Sequence, residues 1–418
     1  GRALGTALDV PRTEFLGYEA TSAEGRVLAL QRDGVPVEAM GEGERGVVVL
    51  DRTPFYAEAG GQVGDTGVLV GPAGRFLVED TQSDGAGHHL HLGRVVEGVL
   101  QLGETVQATV DARRREDIMR HHTVTHLLHQ ALQDVLGPHA LQAGSLVSPD
   151  VARFDFAHPR PVSPEELERV AEIVNQKILA DAPVTATWMS LEEARSLGAK
   201  MLFGEKYGER VRVVSIDGYS RELCGGTHVV HTGQLGLALI VSESGVGSGI
   251  RRVEVLAGRR AMAYLAGQLQ QVHEIGSLLN VPPERAAERV RNLLEELHAA
   301  RREAERLAER LAEHRAEELL GRVVEVNGVP VLASEVDARS VDELGRLHDL
   351  LRRRLPRGVI VLGAVVERQP RFVVGVSRDV LRKDFDARTL VREVAAVAGG
   401  GGGGRPEFAT GGGRDVAR

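Results

Sequence analysis

Cysteine is nearly missing from this chain: Cys224 is the only one in 418 residues. A single thiol excludes an internal disulfide framework and fits a reducing compartment, where it serves as a metal ligand or a catalytic group. Aromatic residues make up only 4%, so a large core must be built from Val, Leu and Ala. No apolar run is long enough to cross a bilayer, and no segment reads as a signal peptide. A surplus of positive charge is also lacking. The net charge is −8, but Arg339–Arg418 holds sixteen Lys/Arg against ten Asp/Glu, leaving −14 on the residues before it. A basic tail on an acidic body suggests that a polyanion contacts one part of the molecule, although a solvated helix face explains many such tails.

The one cysteine belongs to a pattern. His122-Thr-Val-Thr-His126 and Cys224-Gly-Gly-Thr-His228 repeat the same four-residue step about a hundred residues apart. Histidines at i and i+4 project from one face of a helix and can reach a single ion. One Cys with three His is a borderline-soft, four-coordinate donor set that suits Zn²⁺ better than Mg²⁺ or Ca²⁺. Gly225 and Gly226 remove bulk where the backbone must bend or another molecule must approach. Either pair alone reads as two helix histidines or a buried thiol; the two matched pairs together point to a metal.

The rest of the chain sorts into an α+β organisation of four parts. Residues 1–112 carry short apolar or alternating runs (46–51, 67–70, 75–79, 106–110) separated by Gly, Pro and Asp, the signature of a small β-barrel. Within it, Gly60 and Gly61 form a turn that either presents bare N–H groups to a ligand or is a plain hairpin connection. His88, His89 and His91 are expected on a surface hairpin, since strand alternation separates His88 from the other two. Residues 113–257 open with a long amphipathic helix ending at Gly137, with Ile118, Leu127, Leu128, Ala131, Leu132 and Val135 as its buried stripe. His121 and His129, off the ligand face, read as surface or outer-shell residues. Strands at 142–147, 151–156, 184–189, 211–216, 235–243 and 250–256 form an antiparallel sheet, with helices from Ser163 and at 191–197. Residues 258–321 show leucines stepping by three and four, broken by Asn280-Val-Pro-Pro-Glu284. This reads as a helical hairpin arm, with an intermolecular coiled coil as the rival. Residues 322–418 read as a small C-terminal α/β domain ending in Gly399–Gly404 and Gly411–Gly413, expected as a flexible tail or a backbone-lined phosphate surface with Arg405 and Arg414.

The two metal pairs, with Gln142-Ala-Gly-Ser-Leu-Val147 and Leu202-Phe-Gly-Glu-Lys-Tyr-Gly208, closely resemble the editing domain of alanyl-tRNA synthetase and its free-standing AlaX relatives. The resemblance extends over almost the whole chain. Thr53–Asp65 looks like the barrel that precedes the editing domain, and the arm and Gly-rich end look like the C-terminal domain. An excised synthetase fragment lacking the ATP-dependent aminoacylation module is expected; a long AlaX protein is the alternative.

The resemblance implies hydrolysis of the ester that joins serine or glycine to tRNA-Ala, in the cytoplasm. His122, His126, Cys224 and His228 would hold one Zn²⁺, Gln142 would sense the serine hydroxyl, and Thr125 would form a pocket wall. Gly60, Gly61, Gly225, Gly226, Arg251, Arg252 and Arg405 are candidate substrate or tRNA contacts. The C-terminal region would add tRNA contact and self-association as a homodimer, with no membrane partner. A non-enzymatic tRNA-binding protein with a structural zinc is the rival, since a closed Cys-His₃ site is also a structural pattern. A zinc protease is disfavoured because Thr123, Val124 and Thr125 stand where His-Glu-x-x-His would place its general base.

Overall fold

The computed structural model describes residues 8–201 and 208–416, which divide into two compact units, Gly1–His273 and Glu274–Arg418. The motif Leu202–Gly208 falls, except for Gly208, outside the described residues.

The first unit begins with six strands that close on themselves: β1 (Ser22–Arg32), β2 (Arg45–Leu50), β3 (Gly67–Val70), β4 (Gly74–Ser83), β5 (His89–Gln101) and β6 (Thr105–Val110). Around the ring the order is β1-β2-β5-β4-β3-β6, and β6 pairs back onto β1, so no edge is left open. Val27, Leu30, Met40, Leu50, Phe55, Leu69, Phe76 and Val106 fill the interior. The runs at 46–51, 67–70, 75–79 and 106–110 coincide with β2, β3, β4 and β6, whereas β1 and β5 were not among the expected strands. Two of the three histidines expected on a surface hairpin are in a different setting. His88 and His91 are buried, and His91 sits between the Thr53 hydroxyl (2.8 Å) and the Val48 carbonyl (2.9 Å). They tie the barrel together because each ring nitrogen finds a backbone or side-chain partner, as buried polar groups require.

Helix α1 (Ala112–Leu136) follows, capped at its start by the Asp111 carboxylate on the Arg114 N–H and ended at Gly137, whose φ of 117° favours glycine. Ile118, Val124, Leu127, Leu128, Ala131 and Leu132 are fully buried. Strands β7 (Gln142–Val147), β8 (Ala152–Ala157), β12 (Ala238–Gly247) and β13 (Ile250–Ala257) form an antiparallel sheet in the order β7-β8-β13-β12. Helix α2 (Pro164–Leu179), with its Ser163–Glu166 capping box, packs with α1 against the apolar face of that sheet. The expected single sheet is in fact two. β9 (Val184–Ser190), β10 (Arg210–Ile216) and β11 (Ser220–Leu223) make a separate three-stranded sheet, with the short helix α3 (Leu191–Ser196) between β9 and β10. Val211, Val213 and Leu223 of this sheet pack with Ala194 and Ala199 in a hydrophobic cluster of their own, while Ile216 joins the cluster around α1.

Helices α4 (Arg259–Leu278) and α5 (Ala286–Leu320) are interrupted where Asn280 takes a φ of 53° ahead of two prolines. In the second unit a six-stranded sheet runs β14 (Val324–Val326), β15 (Val329–Glu335), β16 (Val359–Val366), β17 (Gln369–Val376), β19 (Phe408–Gly412), β18 (Gly401–Gly404). Helices α6 (Val341–Arg354) and α7 (Ala387–Val397) accompany it. The Gly-rich end is therefore not a flexible tail. Its two strands pair in register from Gly401–Gly412 to Gly404–Ala409. Glycine is required there because a Cβ on Gly402 or Gly411 would lie 2.8 Å from the Val391 methyls of α7.

Candidate metal centre

Helix α1 carries His122 and His126 one turn apart, with ring centroids 5.3 Å from each other. The loop after β11 brings His228 to 4.3 Å from the His122 ring and 4.6 Å from the His126 ring. Cys224 Sγ stands 3.3 Å from both His122 Nε2 and His228 Nε2. The four donor atoms lie within 4.8 Å of one another. Tetrahedral zinc with bonds of about 2.0–2.3 Å needs donor–donor separations of roughly 3.4–3.6 Å. The residues fit the ion.

Burial holds the imidazoles of His122 and His228 well below the ordinary histidine value, and neighbouring imidazoles add to the effect. His126 is shifted the same way by burial. Neutral rings carry the lone pair a metal needs. Each ring also meets an outer partner. His122 Nδ1 lies 2.7 Å from Gln62 Oε1, His228 Nδ1 lies 3.0 Å from Thr123 Oγ1, and His126 Nδ1 lies 3.8 Å from Glu222 Oε2. Glu222 also accepts from His129 Nδ1 at 2.9 Å.

The Cys224–His228 loop is held by its backbone. Arg212 on β10 donates to the carbonyls of Cys224 (2.9 Å) and Gly226 (2.8 Å). Its guanidinium lies 3.9 Å over the Tyr18 ring, and the Tyr18 hydroxyl donates to Gly225 O at 2.6 Å. Gly226 has no room for a side chain: a Cβ would sit 1.9 Å from His122 Cε1.

The centre opens into a cavity of about 240 Å³ whose walls include Tyr56, Gly60, Thr125, Gln142, Ser145 and Glu222. Gln142 Nε2 donates to Ser145 Oγ at 3.0 Å, and the Thr125 hydroxyl is spent on the His121 carbonyl at 2.7 Å. Gly60, Gly225 and Gly226 share this cavity, and Gly61 packs its bare Cα against Ser145. Arg251 and Arg252 each pair with a carboxylate on their own sheet, Glu243 and Asp155. Arg405 is exposed at the turn between β18 and β19. His121 and His129, expected at the surface or in an outer shell, are both buried. His121 bridges the Ser148 carbonyl and the Ala257 N–H as a structural tie, while His129 reaches the site through Glu222.

Three family profiles match the chain. One described as "tRNA synthetases class II (A)" covers residues 4–114, the "Threonyl and Alanyl tRNA synthetase second additional domain" covers 211–254, and the "DHHA1 domain" covers 328–418. The alanine–tRNA ligase of Chloroflexus aurantiacus is 47% identical over 97% of this chain. That of Aromatoleum aromaticum is 48% identical over 99%. The chain belongs to the alanyl-tRNA synthetase family. It spans about half the length of the curated relatives it matches, 47% of each. A solved structure, the C-Ala domain from Aquifex aeolicus alanyl-tRNA synthetase, is 32% identical and covers 23% of this chain and 85% of that one, with a TM-score of 0.21.

In this member of the alanyl-tRNA synthetase family, sequence reasoning named all four clustered donors but missed the residues that orient them. Thr123 lies inside the His-xxx-His step and Glu222 two residues before Cys224, so local spacing offered a hint for both. Gln62 is 60 residues from His122, Tyr18 is 207 from Gly225 and Arg212 is 12 from Cys224, and no periodic signal links them.

Proposed function

We propose that the chain hydrolyses mischarged Ser-tRNA-Ala and Gly-tRNA-Ala, with one zinc ion held by His122, His126, Cys224 and His228. The parts follow the division 1–112 barrel, 113–257 deacylase domain, 258–321 arm and 322–418 C-terminal tRNA-binding and self-association domain. The observation that carries this reading is the donor cluster opening into a cavity with Gln142 on its wall. The chemical need is set by recognition: an alanine pocket cannot exclude smaller glycine, and rejects an added hydroxyl only about a hundredfold. Gln142 gives its amide nitrogen to Ser145, and its carbonyl oxygen is the acceptor for the serine hydroxyl. Alanine offers no such donor.

In the reaction a water oxygen adds to the ester carbonyl carbon, the bond to the tRNA 3′-terminal oxygen breaks, and that oxygen takes the proton. Thr125 and Tyr56 wall the cavity, and the glycines at 60, 225 and 226 leave room for the terminal ribose to approach. Bound zinc would supply Lewis-acid polarisation or a fixed anchor for the substrate. Four protein donors fill a tetrahedral shell, which favours the anchoring role.

The test is release of amino acid from Ser-tRNA-Ala and Ala-tRNA-Ala by the 418-residue chain. Selective loss of serine, reduced by Gln142→His with zinc content near normal, supports the reading. Zinc and tRNA bound with no preferential serine release would instead mark a non-enzymatic tRNA-binding protein with a structural metal.

A further inference from the structure

Gln62 is fully buried, lies in the barrel turn rather than in the domain of the four donors, and touches two of the metal-centre segments at once. Its Oε1 is 3.0 Å from the Thr227 backbone nitrogen and 2.7 Å from His122 Nδ1; its Nε2 is 2.9 Å from Thr227 Oγ1. A backbone N–H can only donate, so the atom facing it must be the amide oxygen. The orientation of the Gln62 amide is therefore fixed. An oxygen acceptor beside His122 Nδ1 requires that nitrogen to carry the hydrogen. The lone pair is left on Nε2, the atom 3.3 Å from Cys224 Sγ.

We infer that Gln62 is a positioning residue of the metal centre: it holds His122 as the Nδ1–H tautomer, aims Nε2 at the ion, and makes the barrel an integral part of the site. This rests on the zinc-site reading above. The surrounding backbone fits the role. Gln62 bridges to Val147 of β7, with Val63 N–H donating to Val147 O at 3.0 Å and Val147 N–H to Gly61 O at 2.7 Å. The turn that carries Gln62 is thus stitched to the strand that carries Gln142 and Ser145. Gly61 has a φ of 85° and no space for a Cβ against Ser145, and a Cβ on Gly226 would meet Gln62 Oε1 at 2.8 Å. Both glycines let the three segments close on the same amide.

Outer partners of metal-bound histidines set ring orientation, and their loss weakens binding by about ten- to a hundredfold. The experiment measures zinc affinity of the full chain by competition with a chromophoric chelator, and reads the His122 tautomer from imidazole ¹⁵N shifts in metal-free, histidine-labelled protein. Gln62→Leu should lose about ten- to a hundredfold in affinity and its His122 tautomer preference. Gln62→Glu, which keeps an oxygen toward both donors, should stay within about threefold of the parent. If Gln62→Leu does not fold, Thr227→Val, which removes the partner of the Gln62 amide nitrogen, should still cost several-fold. Parent-like affinity and tautomer in Gln62→Leu, or in Thr227→Val where that variant has to be used, would overturn the inference. A parent chain that takes up no zinc would overturn both this inference and the metal reading. A chain that binds zinc but releases no serine would refute the deacylase reading and leave the role of Gln62 standing.

Discussion

Replacing Gly226 with Ala adds one methyl at the tightest point of the metal centre. The new carbon would fall 1.9 Å from His122 Cε1 and 2.3 Å from its Nδ1. Carbon atoms rest at about 3.5 Å or more, so the ring or the loop must yield by roughly 1.5 Å. The ring is tied to Gln62, and the loop is tied to Arg212 and Tyr18. If the ring yields, His122 leaves a site whose metal bonds tolerate about 0.2 Å. If the loop yields, Cys224 and His228 move together. Overpacking of this kind costs about 1–3 kcal/mol, and since about 1.4 kcal/mol is tenfold in affinity, zinc binding should weaken by roughly ten- to a hundredfold. Gly225 is the internal control, because a Cβ there meets only the Tyr18 hydroxyl, at 3.9 Å. Competition titrations of Gly226→Ala, Gly225→Ala and the parent, with melting curves for each, make the comparison. Parent-like affinity and melting in Gly226→Ala would refute the claim that this close approach shapes the site.

His91 gives a pH prediction. Burial lowers its pKa from the ordinary value of 6.5 to about 4, although the Val48 carbonyl pulls the other way. The unfolded chain takes up the proton first as pH falls, so His91 favours the folded state above about pH 6.5 and loses up to about 3 kcal/mol by pH 4. Urea midpoints across that range should fall, and His91→Gln should flatten the part of the slope that tracks barrel unfolding. Arg115 and Asp65 form a buried ion pair, with Arg115 also donating to the Gly17 and Pro54 carbonyls at 2.8 Å. Asp65→Ala strands the guanidinium and should cost about 3–5 kcal/mol in equilibrium unfolding, more than the Asp65→Ala/Arg115→Met pair. At the Gly-rich end, Gly411→Val should destabilise the second unit by about 1–3 kcal/mol through its clash with Val391, and Gly403→Ala should change its melting little. Equal effects of the two would show that this hairpin does not pack on α7.

Sequence alone determined the elements whose signals are local. The i, i+4 step fixed His122 and His126 on one helix face, Gly137 marked that helix's C-terminal end, and short apolar or alternating runs marked four of the six barrel strands. The one cysteine, four residues from a histidine, completed a donor set before any coordinate was needed. Tertiary structure alone decided everything that depends on segments distant in the chain. It turned six glycines from an expected tail into paired strands, because the partner surface is α7 rather than anything in the glycine run itself. It buried His88 and His91, because strand alternation says which face a residue takes but not what covers that face. It also brought Gln62 from the barrel to His122, 60 residues away. A ligand set can be written in the spacing of a helix; the hydrogen bond that orients a ligand is made wherever the fold closes, and closure is a property of the whole chain.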